Sequence, residues 1–352
     1  MRKEHYFAFF TIVLMPIILF VFLEIFLRMT KFISPNIKII KNNIVLNKPY
    51  SSIYNKKENF NLVQFNNFGF HDFDRQKSNR NYRIAVLGDS FVESLQVPRD
   101  SLFTTILNKK YQVKDSIEFL PFGKSGTSTA YQFKLWEYLV LNDIKINHLV
   151  LVMFLGNDIE NNHLNLGNAP VDNAFYLNEK GEIFLNYKKK TILKKIIYKI
   201  RNHSAFFELI YQRLYMLKRI LKNSQKEKID KKSSKNIQYV KNQKHYHEAI
   251  EGTIALISKW RSSLNSNNIE FSLITFNTKE NNIIQNYFLE MIDIDSTLKT
   301  LEHKNIVFPS TPYKYFFKTE KGYGHFNFYG HQYFSSEIST FLELSYPQIT
   351  SN

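Results

Sequence analysis

Residues 82–91 read Tyr-Arg-Ile-Ala-Val-Leu-Gly-Asp-Ser-Phe, an apolar run that stops at Gly88-Asp89-Ser90. A continuous apolar run of this length, closed by a turn signal, predicts a strand buried on both faces of a parallel sheet. Such a strand delivers the Ser90 hydroxyl to the open end of the sheet, where a serine is placed to act as a nucleophile. That chemistry further needs a base and a set of oxyanion donors at the same end.

Outward from this stretch, the chain alternates strand and helix. Strands are expected at 82–88, about 116–122, 148–155, 269–276 and near 305–308. Helices are expected after the first strand and at about 128–143, 244–265, 280–291 and 330–344. Short apolar strands separated by helices predict a parallel sheet covered on both sides. Crossovers of one hand then give an α/β fold of three layers, α/β/α, around five parallel strands.

The 352 residues suffice for one large domain or two modest ones, and 44% hydrophobic content allows a sizeable core. There is no cysteine. Disulfides, thiolate metal sites and cysteine nucleophiles are thereby excluded. Residues 6–27 are almost wholly apolar, with Glu24 the only charge among them. At 1.5 Å per residue they would span about 33 Å, enough for a bilayer core. No small-residue cleavage site follows, so an uncleaved single-pass anchor over residues 1–30 is expected. Arg2 and Lys3 precede it and Arg28 and Lys31 follow it, which leaves the positive-inside rule without a clear answer.

Residues 31–80 read as a lead segment packing on the core, with a turn flanked by aromatics at Asn66–Phe70. Residues 81–352 carry the alternating pattern. Residues 186–245 interrupt it with 18 Lys/Arg against 3 Asp/Glu, and so hold nearly all of the chain's net charge of +16. Apolar residues recur there at helical spacing among the lysines, which predicts one or two basic amphipathic helices. A solvated face is one reading of this insertion; attraction to anionic lipid is the preferred functional one, with an anionic glycan as a further option. Nucleic acid is not expected beside a membrane anchor.

Ligands of open parallel sheets bind beyond the carboxyl ends of the strands. Four candidate groups are expected there: Ser90, Gly126, Asn157 and His325. His325 is the candidate base for the serine hydroxyl. Asn157 can offer a side-chain N–H, and Gly126 and Ser90 backbone N–H groups, to a developing oxyanion. Other groups read as structural. His331 starts the last helix, Asp158 serves a turn or cap, and Asp89 makes local hydrogen bonds. His245 and His247 form His-x-His with no evident third ligand, so no metal is expected, and no other cofactor.

The blocks GDSFVES at 88–94, KSGTS at 124–128, GND at 156–158 and GHFN at 324–327 resemble those of SGNH (GDSL-type) hydrolases, in particular a membrane-anchored branch. The resemblance runs from about residue 60 to 345, outside the basic insertion. It implies a flavodoxin-like sheet. It also implies Ser90 as nucleophile, His325 as base, and Ser90, Gly126 and Asn157 as the oxyanion hole. The family's Leu after Gly-Asp-Ser is Phe91 here. Its Asp two or three residues before the histidine is replaced by Tyr323 and Gly322. The orienting acid is therefore missing from its usual place, and Glu320 is the nearest substitute in sequence. The expected activity is ester hydrolysis through an acyl-enzyme, on an acylated small molecule or a cell-envelope glycan or lipid, with the domain outside the cytoplasm. The alternatives are an O-acyltransferase using the same acyl-enzyme and a non-catalytic binding or assembly module that keeps the fold.

Overall fold

The computed structural model describes residues 7–8, 10–30, 38–55, 57–79, 81–111, 116–166, 173–187, 192–226, 242–277, 283–296, 298, 300, 301–309, 312–319 and 322–350. These fall into two compact units. One comprises 1–38, 51–54 and 189–232; the other comprises 39–50, 55–188 and 233–352.

The larger unit is built on the expected sheet. Its strands are β1 (Tyr82–Gly88), β2 (Ile117–Gly123), β3 (His148–Phe154), β4 (Glu270–Phe276) and β5 (Glu302–Ile306). They lie in the order β5-β4-β3-β1-β2, with every neighbouring pair parallel. The order reverses between β1 and β3, and an open α/β sheet has a crevice at such a point. Strand β5 begins three residues upstream of its expected place. Its burial is only partial until Ile306, so its edge position hides it from an apolar-run reading.

Alternate side chains of the strands build two cores. Ala85, Leu87, Leu120, Leu149, Leu151 and Leu273 face α2 (Thr129–Leu141), α3 (Gln243–Asn265) and α4 (Ile283–Ile294). Ile84, Val86, Phe119, Val150, Val152 and Ile274 face α1 (Phe103–Tyr111) and α5 (Phe328–Ser345). Both faces are thus covered, which is why the strands read as unbroken apolar runs. Helix α2 starts where expected because the Ser128 hydroxyl accepts the Tyr131 N–H. Helix α5 starts two residues early because the Asn327 side chain accepts the Gly330 N–H.

Residues 39–50 and 57–79 of the lead segment belong to the larger unit and pack on its core. Ile44, Leu46 and Phe70 join Phe122 and Tyr131 in one cluster, and the Tyr131 hydroxyl donates to Val45 O at 2.8 Å. In the Asn66–Phe70 turn, Asn66 Oδ1 accepts the N–H groups of Phe68 and Phe70, both at 3.0 Å. Among the two-stranded pairs outside the expected pattern are the antiparallel Asn173–Leu177 with Ile183–Tyr187 and Phe316–Thr319 with Gly322–Phe326. His325 therefore sits on a hairpin strand beyond β5, not directly at the end of β5.

In the smaller unit, residues Phe10–Thr30 form one helix long and apolar enough to cross a membrane, with mean hydropathy 2.7. The basic segment forms two helices, Ile192–His203 and Ala205–Lys226, interrupted at Ser204. Glu24 caps the second of these. Its carboxylate accepts the Ser204 hydroxyl at 2.8 Å, Phe206 N–H at 3.0 Å and Ala205 N–H at 3.1 Å. The charge inside the apolar run thus pairs with Arg28 at 2.6 Å and also satisfies a helix end.

Candidate active site

Strand β1 ends at Gly88, and Asp89 caps the single helical turn Ser90–Glu93 by accepting the Phe91 N–H at 2.9 Å. The local reading of Asp89 therefore holds, but its carboxylate does more. Asp89 Oδ2 accepts the Ser90 hydroxyl at 3.3 Å and Asn157 Nδ2 at 3.4 Å. Ser90, from the end of β1, and Asn157, from the end of β3, thus meet on one oxygen at the sheet's switch point. Burial pushes the Asp89 carboxyl above its ordinary range, against the hydrogen bonds it accepts. Asp158 is pushed well above that range by burial and by the neighbouring Asp89. Its Oδ2 accepts Phe154 N–H at 2.9 Å, a local bond of the turn after β3.

His325 lies at the same edge, its ring 4.9 Å from that of Phe91, the residue after the serine. The acid at its ring is Glu58, from the lead segment. Glu58 Oε1 and Oε2 lie 2.9 and 3.0 Å from His325 Nδ1, and Oε2 also accepts the His325 backbone N–H at 2.8 Å. Gly324 makes this approach possible, because a Cβ there would come within 2.6 Å of the Glu58 carboxylate. Burial would raise the Glu58 carboxyl, but its hydrogen bond to His325 and the imidazole's charge outweigh it, and the net shift is downward. Glu320, the acid expected to orient this ring, lies outside the described residues. Glu58 is some 270 residues from the histidine in sequence, so proximity along the chain cannot find it.

A neutral ring that donates Nδ1–H to Glu58 has its lone pair on Nε2. That nitrogen has the character needed to take the serine's proton. The Ser90 hydroxyl rests on Asp89, and among the described residues it makes no hydrogen bond to His325. Catalytic hydrogen bonds of this kind often tighten only when substrate arrives. His331 is the buried structural histidine expected: its Nδ1 accepts Phe103 N–H at 3.2 Å, and burial lowers it to about 3.

Gly126 adopts φ +73°, a left-handed conformation that favours glycine. Its loop is fixed from below by a buried carboxylate that sequence reading did not single out. Glu93 Oε2 accepts Ser125 N–H at 2.7 Å, and Glu93 Oε1 lies 3.1 Å from both Lys124 Nζ and Asn47 Nδ2. Burial would raise Glu93, but the Lys124 ammonium and these donors hold it down at about 2. Glu93 thereby ties the turn bearing Ser90 to the loop bearing Gly126.

The expectation of no metal rested on His245-x-His247 lacking partners. His247 stacks on Tyr287 with ring centroids 4.8 Å apart, away from His245. His245 does have partners, drawn from its own helix and from the loop after β3: Glu248 and His163.

No protein family and no curated protein matches this chain. Among solved structures, it is similar to a protein described as lipolytic, of the G-D-S-L family, from Desulfitobacterium hafniense DCB-2. That match has 10% identity and a TM-score of 0.37, and covers 74% of this chain and 100% of the other. A carbohydrate esterase is similar at 15% identity and a TM-score of 0.38, over 76% of this chain and 67% of the other. A variant of an acetyl-xylooligosaccharide esterase from Geobacillus stearothermophilus is similar at 9% identity and a TM-score of 0.36, over 75% and 95%.

Proposed function

We propose that this chain is a membrane-anchored serine hydrolase that cleaves an ester through an acyl-enzyme. The observation that carries the reading is the Glu58–His325 pair standing at the same sheet edge as Ser90 and Asn157. Ser90 Oγ attacks the ester carbonyl carbon, and His325 Nε2 takes its proton. Glu58 holds the ring in the competent tautomer and stabilises the imidazolium. The N–H groups of Ser90 and Gly126 and the Asn157 amide stabilise the oxyanion. Collapse expels the alcohol, which receives the proton from His325. Water, activated by the same imidazole, then releases the acid and restores Ser90. A substrate on an acylated envelope glycan or lipid suits an enzyme held at a membrane.

The test is covalent labelling with a fluorophosphonate, which reacts with activated serines. Wild-type protein should label and Ser90→Ala should not. Absence of labelling in the wild type, or labelling that survives Ser90→Ala, rejects the proposal.

Phe10–Thr30 is proposed as the anchor, with the core domain outside the cytoplasm. The helices at 192–226 are proposed to lie on anionic lipid. Ile192, Leu193, Ile196, Ile197 and Ile200 are exposed at helical spacing among lysines, as an interfacial helix requires. Without the anchor, binding to anionic vesicles should fall with salt and vanish when this block is deleted. Equal binding with and without the block refutes it.

A further inference from the structure

His163, on the loop after β3, and His245 and Glu248, on the first turns of α3, form a cluster outside the catalytic edge. Their candidate ligand atoms all lie within 4.8 Å of one another. Glu248 Oε2 is 3.0 Å from His163 Nε2 and 3.1 Å from His245 Nδ1. The two imidazole rings face each other at 4.9 Å with 31° between their planes. We infer that these three side chains form a binding site for a divalent transition-metal ion of the zinc type.

The donor set and spacing support this. Two imidazoles and a carboxylate are a common protein donor set for zinc, and they leave a fourth position for water. Ligand atoms that share a tetrahedral zinc at about 2.0–2.2 Å lie about 3.3 Å apart. Both contacts to Glu248 are close to that edge length, so small side-chain adjustments open room for an ion. An open cavity of about 470 Å³ adjoins the cluster. It is lined by His163 and Glu248 and by Asn178, Glu179, Lys180 and Glu182, and it gives an ion a path from solvent.

Two contacts oppose binding, and both are weak. Lys244 Nζ lies 3.6 Å from Glu248 Oε1, but its side chain is 84% exposed and free to turn into water. Asn165 N–H donates to His163 Nδ1 at 3.3 Å. Coordination through Nε2 places a proton on Nδ1 and ends that long hydrogen bond. The cluster spans the basic insertion in sequence, with His163 before it and His245 at its end. An ion there would clip together the two ends of an excursion of about eighty residues, and its stabilising effect would grow with the length of the closed loop.

The test uses the full chain in detergent micelles, stripped with chelator and titrated with Co²⁺ as a spectroscopic substitute for Zn²⁺. One equivalent should bind, with the strong visible absorption of four-coordinate cobalt, and Zn²⁺ should displace it. His245→Ala and Glu248→Gln each alter a partly exposed side chain. Each should weaken binding by at least about 100-fold, beyond the effect typical of losing an outer-shell partner. Circular dichroism checks that both variants remain folded. Failure of the wild type to take up Co²⁺ overturns the inference, and so does undiminished affinity in both folded variants. Neither readout depends on ester hydrolysis, so the result is independent of the function proposed for Ser90.

Discussion

The two rims of the same sheet handle buried charge in opposite ways. At the amino end, the Arg83 guanidinium is buried and makes four hydrogen bonds. It donates to Glu118 at 2.9 Å and to the carbonyls of Gln76, Lys77 and Lys145 at 2.6–2.8 Å. Glu118 accepts further bonds from Arg75 and Asn79, and Arg75 is paired with Asp72. At the carboxyl end, Asp89 and Asp158 sit close together and repel. Asn157 Oδ1 and Asp158 Oδ1 have no hydrogen-bond partner among the described residues. The amino rim is a closed structural clamp on the lead segment. The carboxyl rim leaves these two buried acceptor oxygens without partners and holds the Asn157 amide N–H on Asp89 Oδ2 only by a long bond of 3.4 Å, one that another acceptor can replace.

The largest effect should come at the carboxyl rim. His325→Ala should reduce turnover of a short acyl ester by roughly 10⁴–10⁶-fold, as losing a member of such a unit does, and leave the urea midpoint nearly unchanged. Steady-state kinetics and urea unfolding on the same preparation check both halves. Arg83→Met should do the reverse. It removes one of the three donors to buried Glu118 and the guanidinium donors to the Gln76, Lys77 and Lys145 carbonyls, and should cost about 3–5 kcal/mol of stability, while kcat per folded molecule holds. If His325→Ala unfolds the protein, or Arg83→Met abolishes turnover in folded protein, the division between rims fails.

Glu93 sharpens the comparison, because it is a fully satisfied buried ion placed beneath the reactive rim. Its folded-state pKa lies below its ordinary one. Its contribution is therefore present above about pH 4.5 and lost as pH falls toward about 2. Glu93→Gln should flatten that acid limb of the stability curve, removing on the order of 3 kcal/mol of pH dependence. Urea melts between pH 7 and pH 2.5 read this directly, and an unchanged acid limb contradicts it. The smallest effect is expected from Gly324→Ala. Displacing Glu58 from the imidazole by about 1 Å should lower kcat by up to about 10²-fold with little change in KM. Wild-type kcat in this variant would show that the close approach is not needed.

Much of this architecture was legible in the chain. Strands β1 to β4 are apolar on both faces, so their identity and limits follow from unbroken runs. Ser90 and Asn157 stand beyond the ends of β1 and β3, as strand ends imply, whereas His325, expected at the end of β5, lies on the hairpin strand after it. What escaped reading is what tertiary packing decides. Edge strand β5 shows little apolar signal, and the hairpins at 173–187 and 316–326 lie between the periodic elements. Glu58 reaches His325 only through the fold; its one trace in sequence is the glycine beside the histidine. His163 and His245 belong to separate elements, so spacing along the chain gave no hint of their meeting.

Glu58, carried in from the lead segment, is proposed to complete the catalytic set. The most direct measurement is the rate of Ser90 acylation by an activated ester in wild type, Glu58→Gln and Glu320→Gln. Acylation should slow by about 10²–10⁴-fold in Glu58→Gln and stay at the wild-type rate in Glu320→Gln. A slow Glu320→Gln beside an unimpaired Glu58→Gln would contradict it.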